Sequence, residues 1–390
     1  MILLFVHDHP FYIDCDNVYS GGGLPYSVWD NYLKNFNKVL VYARRSSNLK
    51  DRKIISSNKD VLFQLTEKYS SMFGLLRNVG RIKEELSDMI ANCDVVLVRL
   101  PSVLGLLAAE VALKQKRALW VEQVGNAKEA FANHGSIVGK LIASGFDYRN
   151  RSIVKKADFV SYVTEYKLQS DYPCNENAIT VSLSDVIIRN ILAKSELDKN
   201  RFYSDELEIG LIGGFDTKYK GQDILIKAIA KLPNNIKDNI KINLVGKGDF
   251  NWILSIVKGL GLEKNIRYIG ALEAGDQVDE FLKGLSLYVQ PSLTEGMPRA
   301  IIEAMAMGCP VIGSKVGGIP DVVSENLVHL KNDVDSLSKN IEKLYNNRDL
   351  LFEEAISSLI KALPFSRSAL DTKRNNFYNL MNKKLYQDGN

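Results

Sequence analysis

Short runs of apolar, β-prone residues alternate with segments of helical periodicity along the first half of the chain. The runs read ILLFV, KVLVYA, DVVLV, ALWVEQV and FVSYV. Alternation of this kind predicts a parallel sheet covered by helices, with ligands bound at the carboxyl ends of the strands. Between the first two runs, apolar residues recur at helical spacing, at Leu24, Val28, Trp29, Tyr32 and Leu33. We therefore expect an α/β fold.

Polar and charged residues at 184–206 interrupt this pattern, and a second α/β series follows. Its strand-like runs are LEIGLIGGF, KINLVGKGD, IRYIGAL and LSLYVQPS. Helices are predicted at 221–232, up to Leu260, and at 333–346, 348–362 and 366–386. Because 390 residues are more than one hydrophobic core usually serves, we predict two domains, at 1–186 and 187–365.

Composition and charge fit an ordinary globular enzyme. Apolar residues make up 46% and charged residues 25% of the chain, and the formal net charge is +4, so neither disorder nor nucleic-acid binding is indicated. Four scattered cysteines without CxxC spacing argue against zinc ribbons and disulfides, and we expect reduced thiols in the cytoplasm. The apolar N-terminal run is too short for a signal peptide, and no run approaches the ~20 apolar residues of a bilayer span.

The stretch SLTEGMPRAIIEAMAMGCPVIGSKVGGIPDVV, residues 292–323, predicts a loop, a helix, a turn and a strand in succession. Pro298 is expected at the first helical position and Gly308 at a left-handed residue past the helix end. Free N–H groups at such a helix start attract phosphate or sugar oxygens. Glu295 and Glu303 flank this start, and a carboxylate can accept hydrogen bonds from two sugar hydroxyls.

Taken alone, the two glutamates have a simpler interpretation, with Glu295 as a loop residue and Glu303 paired to Arg299 one turn earlier. The whole stretch EGMPRAIIEAMAMGCPVIGSKVGGIPDVV, however, resembles the donor-site signature of the retaining family 4 glycosyltransferases. The resemblance implies the GT-B fold, two Rossmann-like parallel-sheet domains facing a central cleft, with a last helix at 366–390 that crosses back to the first domain. It also implies that Glu295 faces the transferred sugar and that Glu303 holds the nucleotide ribose.

The same resemblance implies the other donor contacts. Backbone groups at Gly296, Met297 and Arg299 would meet the sugar and diphosphate, and Lys220 of the KG pair would bind the diphosphate. The remaining donor positions are Gly22 and Gly23 in a glycine-rich loop, Gly246 in the GKG turn, and the loop at 267–272, whose backbone would read the base. By itself, a GGG turn is also typical of a flexible connection, and Lys220 of a solvated loop lysine.

Two departures from the family pattern stand out. Gly214 occupies a position where members usually have an arginine, and Lys218 could replace its charge but not its bidentate hydrogen bonding. Members also often carry a histidine at the end of the strand that reads ALWVEQV here. The candidates for that place on the sugar and acceptor side are Glu122, Gln123 and His134, and His134 is alternatively a helix cap or a surface residue.

The resemblance implies a retaining hexosyltransferase that moves a sugar from a nucleotide-diphosphate sugar, expected to be a UDP-sugar, to a glycan or lipid-linked acceptor. Residues 119–139 and 162–173 resemble members that build capsule, O-antigen or other surface polysaccharides. Glu295 and Lys220 are the expected catalytic residues. No cofactor and no metal is expected, since Lys220 and the helix starts would neutralise the diphosphate.

Three further alternatives stay open. Basic amphipathic segments at 72–90 and 134–156 are typical either of peripheral contact with the cytoplasmic face of an inner membrane or of solvated helix faces. The two departures also allow a weakly catalytic nucleotide-sugar-binding subunit. The GT-B fold, finally, is also used by nucleotide-sugar epimerases.

Overall fold

The computed structural model describes residues 1–21, 23–47, 54–67, 72–128 and 137–388. The chain divides into two compact units. Unit 1 comprises residues 1–163, 168–183 and 373–390, and unit 2 comprises residues 164–167 and 184–372.

The first sheet belongs to unit 1. Up to its last strand, the elements are β1 Ile2–Asp14, β2 Asn17–Ser20, α1 Tyr26–Leu33, β3 Lys38–Arg45, β4 Ile54–Ile55, β5 Val61–Thr66, α2 Met72–Ala91, β6 Val95–Leu100, α3 Val103–Lys114, β7 Ala118–Gln123, α4 Ile137–Val154, β8 Phe159–Tyr162, α5 Lys167–Asp171 and β9 Ile179–Ser182. Parallel strands lie in the order β5, β3, β1, β6, β7, β8, β9. Strand β2 pairs antiparallel with the end of β1, and β4 pairs with β2.

The five apolar runs of the first half all form strands of this sheet. Leu3, Leu4, Phe5 and Val6 of β1 have no exposed surface, since helices cover both faces, and this explains why the run is continuously apolar. The hairpin of β1 with β2 and the edge strand β5 were not predicted. The hairpin turns on two residues, and Cys15 adopts a φ of 51° there, without the Asn-Gly signature that usually marks such turns.

The second sheet belongs to unit 2. Its elements and the last helix of the chain are α6 Asn200–Tyr203, β10 Leu207–Ile212, α7 Gln222–Ala230, α8 Asn234–Lys237, β11 Ile240–Val245, α9 Asn251–Leu260, β12 Ile266–Gly270, α10 Asp276–Lys283, β13 Leu287–Gln290, α11 Arg299–Ala306, β14 Val311–Ser314, α12 Ile319–Val322, β15 Val328–His329, α13 Val334–Asn346, α14 Arg348–Ala362 and α15 Arg367–Asp388. The strands are parallel in the order β12, β11, β10, β13, β14, β15. The predicted α/β class, with a parallel sheet in each unit, is confirmed.

Helix α15 contributes its residues from Lys373 onward to unit 1. There, Phe377 and Tyr378 pack against Trp120, with ring centroids 5.4 and 6.0 Å away, and Tyr378 Oη donates to the carbonyl of Asn31 at 2.8 Å. The end of the chain is therefore part of the unit 1 core. Within the described ranges, no helix combines the length and apolar character that a membrane span requires.

Candidate functional site

The helix predicted in the stretch 292–323 is present as α11, which follows the carboxyl end of β13. Pro298 is its N-cap, with φ −77° and ψ 102°, so the prediction that Pro298 is the first helical residue is wrong by one position. Gly308 has a φ of 69°, as predicted for the residue past the helix end. Among the described residues no side chain caps the start of α11, and its first-turn N–H groups therefore point to a position where an anion would be stabilised.

Lys220 and Glu295 meet beside this helix start. The Lys220 Nζ lies 2.7 Å from Glu295 Oε1, and their side chains are 20% and 8% exposed. The contact is supported by the backbone, because the N–H of Leu293 donates to the carbonyl of Tyr219 at 2.7 Å. Gly221, with φ 75°, completes the close approach, since a Cβ there would overlap the carbonyl of Pro291. The two expected catalytic residues thus form a partly buried ion pair.

A chain of buried hydrogen bonds ends on the same carboxylate. Tyr288 Oη accepts from the N–H of Ile212 at 3.2 Å and donates to Gln290 Oε1 at 2.7 Å. Gln290 Nε2 donates to Ser292 Oγ at 2.9 Å, and Ser292 Oγ donates to Glu295 Oε1 at 2.7 Å. Tyr288, Gln290 and Ser292 are at most 1% exposed. Burial raises the pKa of Tyr288, so its hydroxyl keeps the proton that it donates. We call these three residues the Tyr288 relay.

Sequence reasoning missed the Tyr288 relay, although a signal for it was present. Tyr288, Gln290 and Ser292 occupy alternate positions of β13 and its continuation, and therefore one face of the sheet. Polar residues at every second position of an otherwise apolar, buried strand need hydrogen-bond partners. Here the partner at the end of the chain is Glu295, which the relay and Lys220 hold from two directions.

Glu303 lies on α11, and in the described part of the chain its carboxylate has no hydrogen bond and no ion pair. The simpler interpretation, in which Arg299 pairs with it, is therefore not what the structure shows. Burial raises the pKa of Glu303, and Arg299 opposes this rise through its charge without direct contact. A half-buried carboxylate with free acceptor positions is suited to binding hydroxyl groups of a ligand.

Two glycines allow close packing around the Lys220 side chain: Gly213 packs against Lys220, and Gly246 packs against Gly213. A Cβ at Gly213 would lie 2.7 Å from Lys220 Cγ, and a Cβ at Gly246 would overlap the carbonyl of Gly213. Gly214 differs, because a Cβ there would meet only the Lys247 carbonyl oxygen, at an ordinary 3.7 Å. Position 214, where the family resemblance led us to expect an arginine, therefore has room for a side chain in this protein.

The other expected donor-side residues lie close to α11 or at the neighbouring strand ends. The carbonyl of Gly296 accepts a hydrogen bond from the N–H of Gly318 at 2.7 Å, and a Cβ at Gly318 would lie 3.2 Å from Met297 Cε. These contacts fix the loop directly before α11. Lys218 was considered as a replacement for the charge of the missing arginine. Its Nζ lies 5.1 Å from the centroid of the Trp252 ring.

The acceptor-side candidates Glu122 and Gln123 end strand β7 in unit 1. Glu122 accepts from the Tyr32 hydroxyl at 3.3 Å and lies 3.5 Å from the guanidinium of Arg99, with 13% of its side chain exposed. Gln123 is fully buried, donates to a backbone carbonyl at 2.8 Å and accepts from Asn150 at 3.0 Å. Both polar atoms of its side-chain amide are therefore hydrogen-bonded within unit 1. Glu122 retains a small accessible surface.

Of the remaining candidates, Gly23 follows β2, and a Cβ there would lie 3.3 Å from the Cε1 atom of His9. Gly22 and His134 lie outside the described residues. Two of the basic residues considered for membrane contact, Lys83 and Arg149, both form ion pairs with Glu110 of α3. Their charges are thus partly neutralised within unit 1.

The sequence is similar to a known protein family and to a curated bacterial protein. Residues 194–358 match the model of the family described as glycosyl transferases group 1. The Staphylococcus aureus protein CapJ is 35% identical over 345 residues, which are 88% of this chain and 86% of CapJ.

Among solved structures, Anabaena HepE in complex with UDP matches with a TM-score of 0.65 and 16% identity, covering 99% of both chains. The sucrose-phosphate synthase of Thermosynechococcus elongatus matches with a TM-score of 0.67 and 15% identity, covering 98% of this chain and all of that one. At such identities the likeness is one of fold, and it confirms the GT-B class. CapJ matches this chain at 35% identity over most of the length of both proteins, and the family model matches residues 194–358. These two matches show that the chain belongs to the glycosyl transferases group 1 family and is a glycosyltransferase.

Proposed function

We propose that this glycosyltransferase is a retaining hexosyltransferase that moves a sugar from a UDP-sugar to a glycan or lipid-linked oligosaccharide in bacterial surface polysaccharide synthesis. The observation that carries the proposal is the Lys220–Glu295 pair beside the uncapped start of α11. A cation, a carboxylate and free N–H groups lie close together there. Such groups can stabilise the charges that develop when the bond between a sugar and a diphosphate breaks.

Each group has a distinct task in this mechanism. The bond between the anomeric carbon and the diphosphate oxygen breaks, and negative charge grows on the diphosphate. Lys220 and the first N–H groups of α11 stabilise that charge, while Glu295 orients the sugar as it acquires oxocarbenium character. The acceptor oxygen bonds to the face that the diphosphate leaves, which retains the configuration, and the acceptor proton passes to the leaving phosphate oxygen. Glu303 accepts hydrogen bonds from the ribose hydroxyls.

The choice of UDP is supported by HepE, which was crystallised with UDP and whose fold this chain shares. The choice of a surface polysaccharide is supported by the sequence resemblance of residues 119–139 and 162–173. The expected independence of metal ions follows from the charges that Lys220 and α11 supply at the diphosphate position.

The experiment that tests the proposal is a calorimetric binding panel of UDP-, GDP-, ADP- and CMP-sugars, followed by an assay of nucleotide release. We expect one UDP-sugar to bind and its nucleotide to be released slowly. Release should accelerate when a lipid-linked or oligosaccharide acceptor is added, and NMR of the product should show the anomeric configuration of the donor.

The outcomes separate the alternatives. Inverted product configuration would refute retention, and binding of a GDP-sugar alone would refute the choice of donor. Donor binding without release on any acceptor would point instead to a nucleotide-sugar-binding subunit. Interconversion of the sugar without an acceptor would point to an epimerase.

A further inference from the structure

A short segment of unit 2 is continuous with unit 1 at both of its ends. Residues 164–167 belong to unit 2, whereas Val163 before them and Leu168 after them belong to unit 1. The segment joins β8 to α5, and its last residue, Lys167, is the first residue of that helix. We call these four residues the 164–167 segment. Contacts with other residues of unit 2 hold it in place.

Asp321 of α12 binds the backbone of the 164–167 segment. Its Oδ2 atom accepts from the N–H groups of Glu165, Tyr166 and Lys167, at 3.0, 3.0 and 3.2 Å. These N–H groups lie at the start of α5, where such groups have no acceptor within their own helix and where a negative charge is favourable. One carboxylate oxygen therefore fixes three consecutive backbone positions.

The two glycines directly before α12 pack against the loop that carries Glu295. The N–H of Gly318 donates to the carbonyl of Gly296 at 2.7 Å. Gly317 has a φ of 50°, and a Cβ there would overlap the carbonyl oxygen of Glu295. Glycine permits both this backbone conformation and this close approach. Gly317 and Gly318 thus contact the backbone of Glu295 and Gly296 directly.

The 164–167 segment lies against the same pair of glycines. A Cβ at Gly318 would lie 3.1 Å from Thr164 Cγ2 and also 3.1 Å from the carbonyl oxygen of Gly296. Gly318 is therefore packed closely against both the segment and the Glu295 loop. Asp321, in the first turn of α12, binds the neighbouring part of the segment. Because closely packed groups transmit displacements, a shift of the segment would be passed to the loop through Gly318.

These contacts are separate from the Tyr288 relay. The relay and Lys220 bind the side-chain carboxylate of Glu295. Gly317 and Gly318, in contrast, contact the backbone of Glu295 and of the residue that follows it. The direction of a carboxylate depends on the position of its own backbone as well as on its hydrogen bonds. Glu295 is therefore supported at two different sets of atoms.

We propose that Asp321 is a positioning residue for sugar transfer. By binding the 164–167 segment, Asp321 keeps this segment packed on Gly318, and it thereby keeps Gly317 and Gly318 against the loop of Glu295. The inference rests on the proposed function, in which Glu295 orients the transferred sugar. Asp321 acts through these contacts and does not itself bind the donor.

Hydrogen exchange of the intact protein without ligand, followed by mass spectrometry of short overlapping peptides, tests the structural part. Asp321→Ala should speed exchange at 165–167, which lose their acceptor, and also at Gly318, by about tenfold or more. Asp333→Ala is the matched control, because the Asp333 carboxylate accepts from the N–H and the hydroxyl of Ser336, at 2.9 and 2.7 Å, at the start of α13. The control should leave exchange at 165–167 and Gly318 unchanged. If Gly318 exchanges as slowly in Asp321→Ala as in the parent, the proposal is refuted.

Steady-state nucleotide release, with the donor that binds in the calorimetric panel, tests the functional part. We expect Asp321→Ala to lower kcat by about tenfold or more with little change in KM for the donor, because a misdirected Glu295 weakens the transition state more than donor binding. Asp321→Asn keeps an oxygen that can accept from the same N–H groups, and kcat should return to within about threefold of the parent. Asp333→Ala should lower Tm but not kcat. An Asn variant as slow as Asp321→Ala, or an equal loss of kcat in Asp333→Ala, would overturn the proposal.

A second background separates positioning from general stability. In Glu295→Ala the group to be positioned is absent, so adding Asp321→Ala should lower kcat by no more than about twofold further. An equally large loss in both backgrounds would show that Asp321 serves the fold alone. Donor binding is measured separately by calorimetry, so absence of donor binding would count against the proposed function, while hydrogen exchange at Gly318 still decides whether Asp321 supports the loop.

Discussion

Removal of the Ser292 hydroxyl should slow sugar transfer while leaving donor affinity nearly unchanged. In Ser292→Ala, Glu295 loses a partly buried hydrogen bond of 2.7 Å, although Lys220 still binds the same oxygen in the free protein. A hydrogen bond to a charged group contributes ~1.5–3 kcal/mol. Because Glu295 keeps some exposed surface, water can compensate for part of the loss, and we take the lower part of that range, ~1.5–2 kcal/mol, which predicts a kcat lower by about 10- to 30-fold.

The same substitution has a second effect, on stability. Gln290 Nε2 loses the Ser292 oxygen that accepts its hydrogen bond, and a buried unsatisfied donor destabilises a protein by ~1–3 kcal/mol. A loss of activity could therefore reflect partial unfolding. Ser286→Ala is the matched control, because Ser286 is 1% exposed and its Oγ also accepts a single hydrogen bond, from the N–H of Glu208 at 3.2 Å.

The assay is steady-state nucleotide release with saturating acceptor, together with Tm by calorimetry for both variants. We expect both to lower Tm, but only Ser292→Ala to lower kcat, with KM for the donor changed little. Unchanged kcat in Ser292→Ala, or equal loss of kcat in Ser286→Ala, would show that the Tyr288 relay serves the fold and does not position Glu295.

Four further predictions concern the same site. Lys220→Ala and Glu295→Ala should each lower transfer by about two orders of magnitude or more without unfolding the protein, and near-parent rates would remove them from the mechanism. Because burial raises the pKa of Glu303, donor affinity should fall as pH is lowered through that raised pKa, and Glu303→Gln should bind more weakly and without this pH dependence in calorimetry. Gly214→Arg should tighten donor binding by about tenfold, whereas Gly213→Ala should weaken it by displacing Lys220, and an unchanged affinity in Gly214→Arg would show that the extra charge does not reach the diphosphate. Transfer should persist in EDTA, and a loss reversed by Mg²⁺ would contradict a metal-independent reaction.

Much of unit 2 was predictable because its signals are local. Periodicity, Pro298 and Gly308 define α11 to within one residue, since each acts on its immediate neighbours. The pairing of Lys220 with Glu295 was not predictable from residue patterns, because 75 positions separate them and the contact depends on how two loops pack. Family resemblance placed both residues at the donor, but it did not indicate that they bind each other.

In unit 1 the sequence was less informative. The turn at Cys15 lacks the usual hairpin residues, so β1 was expected to end before His7, whereas the structure continues it to Asp14. The bulge between Val6 and Pro10 depends on where pairing with β3 resumes, which a single sequence does not encode.

The Tyr288 relay explains how Glu295 can stay oriented although its other partner, Lys220, is also needed at the diphosphate. In the free protein, Lys220 pairs with Glu295, so in the proposed mechanism a bound diphosphate would compete with Glu295 for the same ammonium group. When Lys220 turns toward the diphosphate, Glu295 would lose its partner and, without other support, its orientation. The bond from Ser292 remains in place during that exchange, because Ser292 and Gln290 are buried and are held through Tyr288. We infer that the relay keeps Glu295 directed at the sugar at the moment when Lys220 is drawn away, and for this reason loss of Ser292 should lower kcat more than donor affinity.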